Sequence, residues 1–455
     1  MTRSYVVILA AGQGKRMKSD LPKVLHRVGG RTLLEHVVRA AEGVEPYEIA
    51  VVHGHGGELV MAEHSHLAVT WVEQAEPLGT GHAVMQALPN VPDDCVVVIL
   101  NGDVPLIQSD TIAALVDEVT TAQTLALVTV KIDEPTGYGR ILRNDADSVV
   151  GIVEERDASD AQRQVREINT GIMAIPAAAL RRWLANVKPD NAQGEYYLTD
   201  VIKLAVQDSQ SIRTTQAANA EDLLGINDRV QLAALERRYQ RALVRNLMLA
   251  GTTVLDPSRL DIRGQVTAGR DVLVDVNVVL EGTVSLGNRV RIGPNSVLRN
   301  VVVGDNSEIL ENCVIDGVKI GAACRIGPFS RVRPETELSD QVHVGNFVEV
   351  KKSFIQQGSK VNHLSYVGDS EIGRNVNVGA GTITCNYDGA NKHKTTIGDD
   401  VFIGSGTQLV APVVIADGTT VAAGSTITKD TNPGTLAVAR ARQQSIKDWQ
   451  RPQKK

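Results

Sequence analysis

The sequence predicts two architectures in one chain: an α/β domain on a Rossmann-like, mostly parallel sheet, joined by a long helix to a parallel β-helix of hexapeptide repeats. Three observations carry this. Aliphatic residues recur every six positions through the second half, beginning Val266, Val272, Val278, Val284 and Val290. Apolar runs alternate with helical patterns through the first half, and one long amphipathic run stands between the two.

In the first half, residues 5–10 read as a buried strand, 33–41 as a helix, 48–52 as a strand, and 95–100 as an apolar run ending in Asn101-Gly102-Asp103. Strands alternating with helices predict a parallel sheet covered on both faces. Ligands of such sheets bind beyond the carboxyl ends of the strands, where the glycine-rich segment after Leu9 and the acid Asp103 both fall. Residues 228–250 have apolar positions at helical spacing and stop at Gly251, a natural helix end and linker.

The hexad ladder resumes as Ile320, Ile326 and Val332, as Ile372 and Val378, as Ile397, Ile403 and Leu409, and as Ile415, Val421 and Ile427. No α-helix repeats every six residues. The period suits a coil of three flat faces, with one aliphatic per hexad pointing inward and Gly or Asn taking the corner angles. Coils stacked at about 4.8 Å and built from three hexads make residues 252–433 roughly ten coils. The organisation expected is a first domain over 1–227, a helical linker over 228–250, a β-helix over 251–437 and a tail over 438–455.

Composition sets limits on function. A chain of 455 residues exceeds one hydrophobic core. Aromatics at 3% and a net charge of −6 argue against base stacking and against a grip on a polyphosphate backbone, so no nucleic-acid partner is expected. Cys95, Cys313, Cys324 and Cys385 lie apart without a CxxC pair, which suggests neither zinc nor a disulfide scaffold. The first apolar run is too short for a signal peptide and nothing approaches membrane-spanning length, so a cytoplasmic location without membrane insertion is expected.

The segment Leu9-Ala10-Ala11-Gly12-Gln13-Gly14-Lys15-Arg16-Met17, followed by Pro22-Lys23, places small residues where backbone N–H groups approach an anion and adds cations beside them. Met17 stands at the third-glycine position of a dinucleotide fingerprint, and Arg16 replaces the Ser or Thr of a Walker loop, so neither motif applies. These residues resemble the signature of the sugar-phosphate nucleotidyltransferase family. The resemblance implies nucleotide contacts at Leu9, Ala10, Ala11, Gly12, Gly14 and Lys23, with Arg16 and Lys23 balancing charge on the α-phosphorus and departing pyrophosphate. It implies a uracil-reading segment containing Gln74, Gly79 and Thr80, and Mg²⁺ at Asp103 with Asn227 as second ligand. A hard cation accepts such oxygen donors and completes its shell from phosphate and water. On the residues alone, Asp103 reads equally as a helix cap or turn residue and Asn227 as a helix cap. Gly139, Glu154, Asn169 and Thr199 resemble the family's contacts to an N-acetylated amino sugar. Asn101 departs from the pattern and its role is open.

Hexad-repeat proteins of this kind resemble acyltransferases that use acyl-CoA, often as trimers. Arg333, Lys351 and Lys392 are cations suited to a sugar phosphate, and His363 is placed to take a proton from an attacking amine. Residues 377–395 break the hexad rhythm with a polar excursion, as binding loops of solenoids do. With the head motif, this run resembles the bacterial family of bifunctional N-acetylglucosamine-1-phosphate uridylyltransferase/glucosamine-1-phosphate N-acetyltransferases along essentially the whole chain. The resemblance implies a left-handed coil and His363 as general base. It implies Arg333, Lys351, Tyr366, Asn377 and Lys392 around glucosamine-1-phosphate, and Ala380, Asn386, Tyr387, Ser405, Ala423 and Arg440 at acetyl-CoA. UTP is the nucleotide expected and a homotrimer the assembly. Two alternatives share the architecture: a single-activity nucleotidyltransferase whose β-helix only oligomerises, and a non-enzymatic scaffold.

Overall fold

The structure, a computed structural model, describes residues 3–216 and 219–454. Contacts divide the chain into two units that part between Glu236 and Arg237, inside the helix Arg229–Leu249.

In the first unit a seven-strand path runs in the order Arg213–Gln216, Ala126–Lys131, Glu167–Pro176, Cys95–Asn101, Arg3–Leu9, Glu48–His53, Thr70–Glu73. Arg3–Leu9 lies parallel between Cys95–Asn101 and Glu48–His53, and its residues Tyr5 to Ile8 are fully buried. Continuous apolar strands of this kind are what two covered faces require. The helix Leu33–Glu42 starts because Thr32 Oγ1 accepts from Glu35 N at 3.1 Å, and it buries Leu34, Val37, Val38 and Ala41 against the sheet. The exception to parallel order is Glu167–Pro176, antiparallel to both neighbours and bulged between Asn169 and Met173. Its bulge brings Asn169 to the sheet's ligand end. A hairpin, Arg140–Arg143 with Val149–Val153, sits off the main path.

The second unit is a left-handed parallel β-helix. Every strand pair is parallel, and one face holds eleven strands, which bound ten coils. Ile292, Ile309, Ile326, Val344, Val361 and Val378 stack on that face at intervals of 17 or 18 residues. The next interval, Val378 to Ile403, spans 25 residues, and the surplus is the polar excursion. The ladder aliphatics from Val272 to Ile427 form one buried column, and Val266 packs against it partly exposed. All four Phe residues are exposed at 37% or more, so the core is indeed aliphatic. Gln240, buried on the helix, anchors the first coil through both amide atoms: Nε2 donates to Ile262 O at 2.8 Å and Oε1 accepts from Ile262 N at 2.7 Å.

The glycines need one correction. The left-handed corners are taken by Asn277, Asn295 and Asn312 as expected, but also by Ala323, Phe329, Phe347 and Leu364. The glycine that follows each ladder aliphatic is mostly not a corner residue. It sits where successive coils touch: a methyl group on Gly404 would lie 2.4 Å from Ala423 N. Backbone spacing, rather than a positive φ, is why a side chain is excluded there.

Two candidate active sites

In the first unit, two adjoining hollows of about 460 and 360 Å³ share Leu9, Thr80, Asn101 and Asp103 in their walls and form one trough over the strand ends. The larger is lined by Leu9, Ala10, Ala11, Gly12, Lys23, Gln74, Gly79 and Thr80, and the smaller by Gly139, Glu154, Asn169, Thr199 and Asn227. The sequence-derived nucleotide and sugar sets are thus brought to neighbouring compartments, with Asp103 common to both.

Gly14 and Arg16 do not line either hollow. Gly14 adopts φ +60°, and a methyl group on it would lie 2.8 Å from Lys23 Cβ, so its bareness lets Lys23 in. Lys23 Nζ forms an ion pair with Asp103 Oδ2, both side chains being largely buried. Arg16 Nη2 donates to Asn227 Oδ1 at 2.8 Å. Tyr138, between them, has its phenol pushed up by burial and then by the Asp103 charge, with Arg16 opposing.

The cap readings fail on geometry. Asp103 lies six residues before the helix Ser109–Ala122, and Asp228, not Asn227, accepts from Gln231 N at 2.8 Å. Among the described residues no three His, Cys, Asp or Glu side chains converge as a metal cluster. A carboxylate and an amide oxygen in one compartment fit a hard cation that draws its remaining ligands from phosphate and water.

In the smaller hollow, Glu154 Oε1 accepts from Thr199 Oγ1 at 3.0 Å, and burial raises its carboxyl above the ordinary range against that hydrogen bond. Gly139 leaves room for this carboxylate, 3.4 Å from where its methyl would stand. Asn101 now has a role: its Nδ2 donates to Thr170 O at 2.9 Å, and Gly171, at φ +75°, is bare because a methyl there would meet that amide at 2.4 Å. Asn101 therefore pins the bulge that carries Asn169. Gln74, buried, donates to Gly79 O at 3.0 Å, while Gly81 N donates to Tyr196 O at 2.8 Å, fixing the segment that resembles a base reader.

In the β-helix, Arg333, Lys351 and Lys392 gather on one flank. Arg333 Nη1 pairs with Glu349 Oε1 at 2.8 Å, and Lys351 Nζ lies 4.0 Å from Asp369 Oδ2. Asn386 Nδ2 donates to the same Asp369 oxygen and lies 3.5 Å from the Tyr366 hydroxyl. The neighbouring Lys392 ammonium pushes the Lys351 amine below its ordinary value, as one cation close to another does. The excursion folds back on itself: Tyr387 and Lys392 form an antiparallel bridge, and Asp388 accepts from Asn391 N at 2.7 Å and pairs with His393 at 2.7 Å.

His363 ends the strand Lys360–His363, exposed, with Nδ1 2.8 Å from Asn346 Oδ1. Asn346 is a residue that sequence reasoning missed. It lies one coil, 17 residues, before His363 and pairs with it in register, a signal that shows only once the register is known. Ala380, Ser405 and Ala423 stack along one corner edge, where Gly406 N donates to Ala380 O and Gly424 N to Ser405 O, and Arg440 closes the column by donating to Ala423 O. Asn377 is not brought to the cations: it pairs with Lys360 and Phe402 on another face, and among the described residues no side-chain hydrogen bond ties it to them.

Family descriptions match along both units: a MobA-like NTP transferase domain over residues 6–168, a GMPPB C-terminal domain over 262–346, and bacterial transferase hexapeptide repeats over 394–429. Among curated proteins, the chain is 55% identical over 449 residues to the Bifunctional protein GlmU of Methylococcus capsulatus, covering 98% of this chain and 97% of that one. It is 53% identical to the protein of the same name from Marinobacter nauticus, covering 100% of both, and 55% identical to that of Aromatoleum aromaticum, covering 99% of both.

Proposed function

Because the chain belongs to the bifunctional GlmU family, we propose that the trough and the β-helix flank are its two active sites, acting in sequence on one sugar. The enzyme acetylates glucosamine-1-phosphate from acetyl-CoA in the β-helix and then transfers uridylyl from UTP to N-acetylglucosamine-1-phosphate in the α/β unit, releasing pyrophosphate. The observation that carries the reading is identity of 53–55% over 98–100% of the chain, which takes in both units.

In acetyl transfer, Arg333, Lys351 and Lys392 receive the sugar phosphate. Tyr366 and Asn386 border the same position. The Nε2 lone pair of His363 takes a proton as the sugar amine attacks the thioester, a contribution of about 10²- to 10⁴-fold for a placed base. Thiol is the leaving group. Ala380, Tyr387, Ser405, Ala423 and Arg440 offer a smooth edge for an extended acyl carrier.

In uridylyl transfer, Gly12 and its neighbours present backbone to the triphosphate while Gln74, Gly79 and Thr80 hold the base. Mg²⁺ held by Asp103 and Asn227 would neutralise phosphate oxygens. Without substrate, Lys23 and Arg16 are occupied by those same two ligands; on binding, both cations turn to the phosphates, where charge develops on the leaving pyrophosphate. Gly139, Glu154, Asn169 and Thr199 hold the acetamido sugar so that its phosphate is in line with the α-phosphorus. Asn169 and Glu154 both suit hydroxyl and amide groups.

A homotrimer completes the acetyl-transfer site. The separation of Asn377 from the cations, and the exposed stripe of Phe329, Phe347 and Leu364 at 49, 56 and 64% beside His363, support a second copy seated there. Light scattering giving a monomer's mass contradicts this. A cytoplasmic location is supported by four unpaired cysteines, and among the described residues no helix is long and apolar enough to cross a membrane. The test of the two-site reading is His363→Ala, assayed for thiol release and, separately, for pyrophosphate release. Loss of the first alone supports it, and loss of both or neither contradicts it.

A further inference from the structure

We infer that Asn346 is a positioning residue for acetyl transfer: its side-chain oxygen fixes the His363 ring and its tautomer, so that Nε2 carries the lone pair that accepts the proton. This rests on His363 being the base.

The two side chains are register partners on adjacent coils, His343–Asn346 and Lys360–His363, and meet at 2.8 Å between Asn346 Oδ1 and His363 Nδ1. An imidazole held at Nδ1 by an acceptor carries its proton there and leaves Nε2 free; the reversed amide would donate to Nδ1 and force the proton onto Nε2, abolishing the base. The same rung fixes the backbone. Asn346 O accepts from Leu364 N at 3.1 Å, His363 O accepts from Gly381 N at 3.2 Å and from Ser365 Oγ at 2.8 Å, and Leu364 turns the corner at φ +49°. With its main chain held at three points, the exposed ring keeps one main freedom, rotation of its side chain. The hydrogen bond to Asn346 removes it.

The charged neighbours do not supply this function. His343, on the Asn346 strand, has its imidazole pushed below its ordinary value by burial and then by neighbouring cations such as Arg325 and Lys360. Across the corner Glu349, paired with Arg333, and Tyr366 are neighbours in register. The orienting bond is therefore one uncharged amide, which holds the ring without the proton affinity that a carboxylate would add.

The experiment compares wild type, Asn346→Ala, Asn346→Asp and His363→Ala in the full chain, following thiol release against pH, with pyrophosphate release and thermal midpoint measured on the same samples. The expected result for Asn346→Ala is a fall in kcat of about 10- to 100-fold, the usual worth of an imidazole's orienting partner, with KM for both substrates nearly unchanged. Asn346→Asp keeps an acceptor and should recover activity at high pH, its acid limb moved up by about one unit by the adjacent carboxylate. Ring ¹⁵N shifts of His363 should report a protonated Nδ1 in wild type and a mixture in Asn346→Ala. The inference is overturned if Asn346→Ala keeps its kcat, if Asn346→Asp is equally inactive at every pH, or if the loss follows a lowered thermal midpoint. If His363→Ala retains acetyl transfer, the base reading itself fails; if only His363→Ala is inactive, the base stands and the positioning role alone falls.

Discussion

Substituting Gly14 by alanine should disable uridylyl transfer by moving one neighbour. The new methyl would stand 2.8 Å from Lys23 Cβ, whereas carbon atoms rest at about 3.5–4.0 Å, so Lys23 must retreat by roughly 1 Å. A misplacement of that size costs on the order of 10²-fold in rate when the displaced group stabilises the transition state. Gly14 also sits at φ +60°, where a side chain costs about 1–2 kcal/mol, so the first unit should be measurably less stable. The assay is pyrophosphate release at saturating UTP, with thiol release from acetyl-CoA as the control on the second unit. We expect kcat to fall about 100-fold for the former and not at all for the latter. A Gly14→Ala enzyme within about threefold of wild type in pyrophosphate release would show that the close approach of Lys23 to Gly14 does not set the placement uridylyl transfer needs.

Other consequences follow from the same geometry. Glu154 has a raised carboxyl, so the stability it contributes is fully present below the ordinary value of 4.5 and is lost as pH rises through its folded value; in denaturant titrations Glu154→Gln should remove that decline, and an identical pH dependence in both proteins would rule it out. Lys351→Ala removes one of three cations, and with a charge-assisted hydrogen bond worth about 1.5–3 kcal/mol the KM for glucosamine-1-phosphate should rise roughly 10- to 150-fold while that for UTP stays put. Ile403 is fully buried in the coil stack, so Ile403→Ala should cost about 2–5 kcal/mol in unfolding free energy, and a loss under 1 kcal/mol would mean the ladder is not the core.

Much of this was legible in the sequence because β-helix chemistry is local: one inward aliphatic per hexad fixes which residues are buried, and Val272 through Ile427 are. The long helix, Arg229–Leu249, kept its sequence-derived ends within a residue or so because amphipathic spacing and Gly251 state them. The antiparallel direction of Glu167–Pro176 was not legible, since an apolar run reads alike in either orientation and the bulge at Asn169 is set by Asn101 and Gly171 from two strands. Asn346 escaped for a different reason. Its partner is a whole coil away, and coil length varies between 17 and 25 residues, so side-chain pairs across rungs follow only once the register is known. For Arg16 and Gly14, the sequence pointed to the phosphate but not to their neighbours in the fold, Asn227 for one and Lys23 for the other, which the composition of a loop does not contain.

The measurement that bears most directly on two independent sites in one chain is complementation between His363→Ala and Lys23→Ala, each supplied with glucosamine-1-phosphate, acetyl-CoA and UTP. Each variant alone should form no UDP-N-acetylglucosamine, and an equimolar mixture should form it, the acetylated sugar phosphate diffusing from one protein to the other. Product from either variant alone, or none from the mixture, would contradict the account.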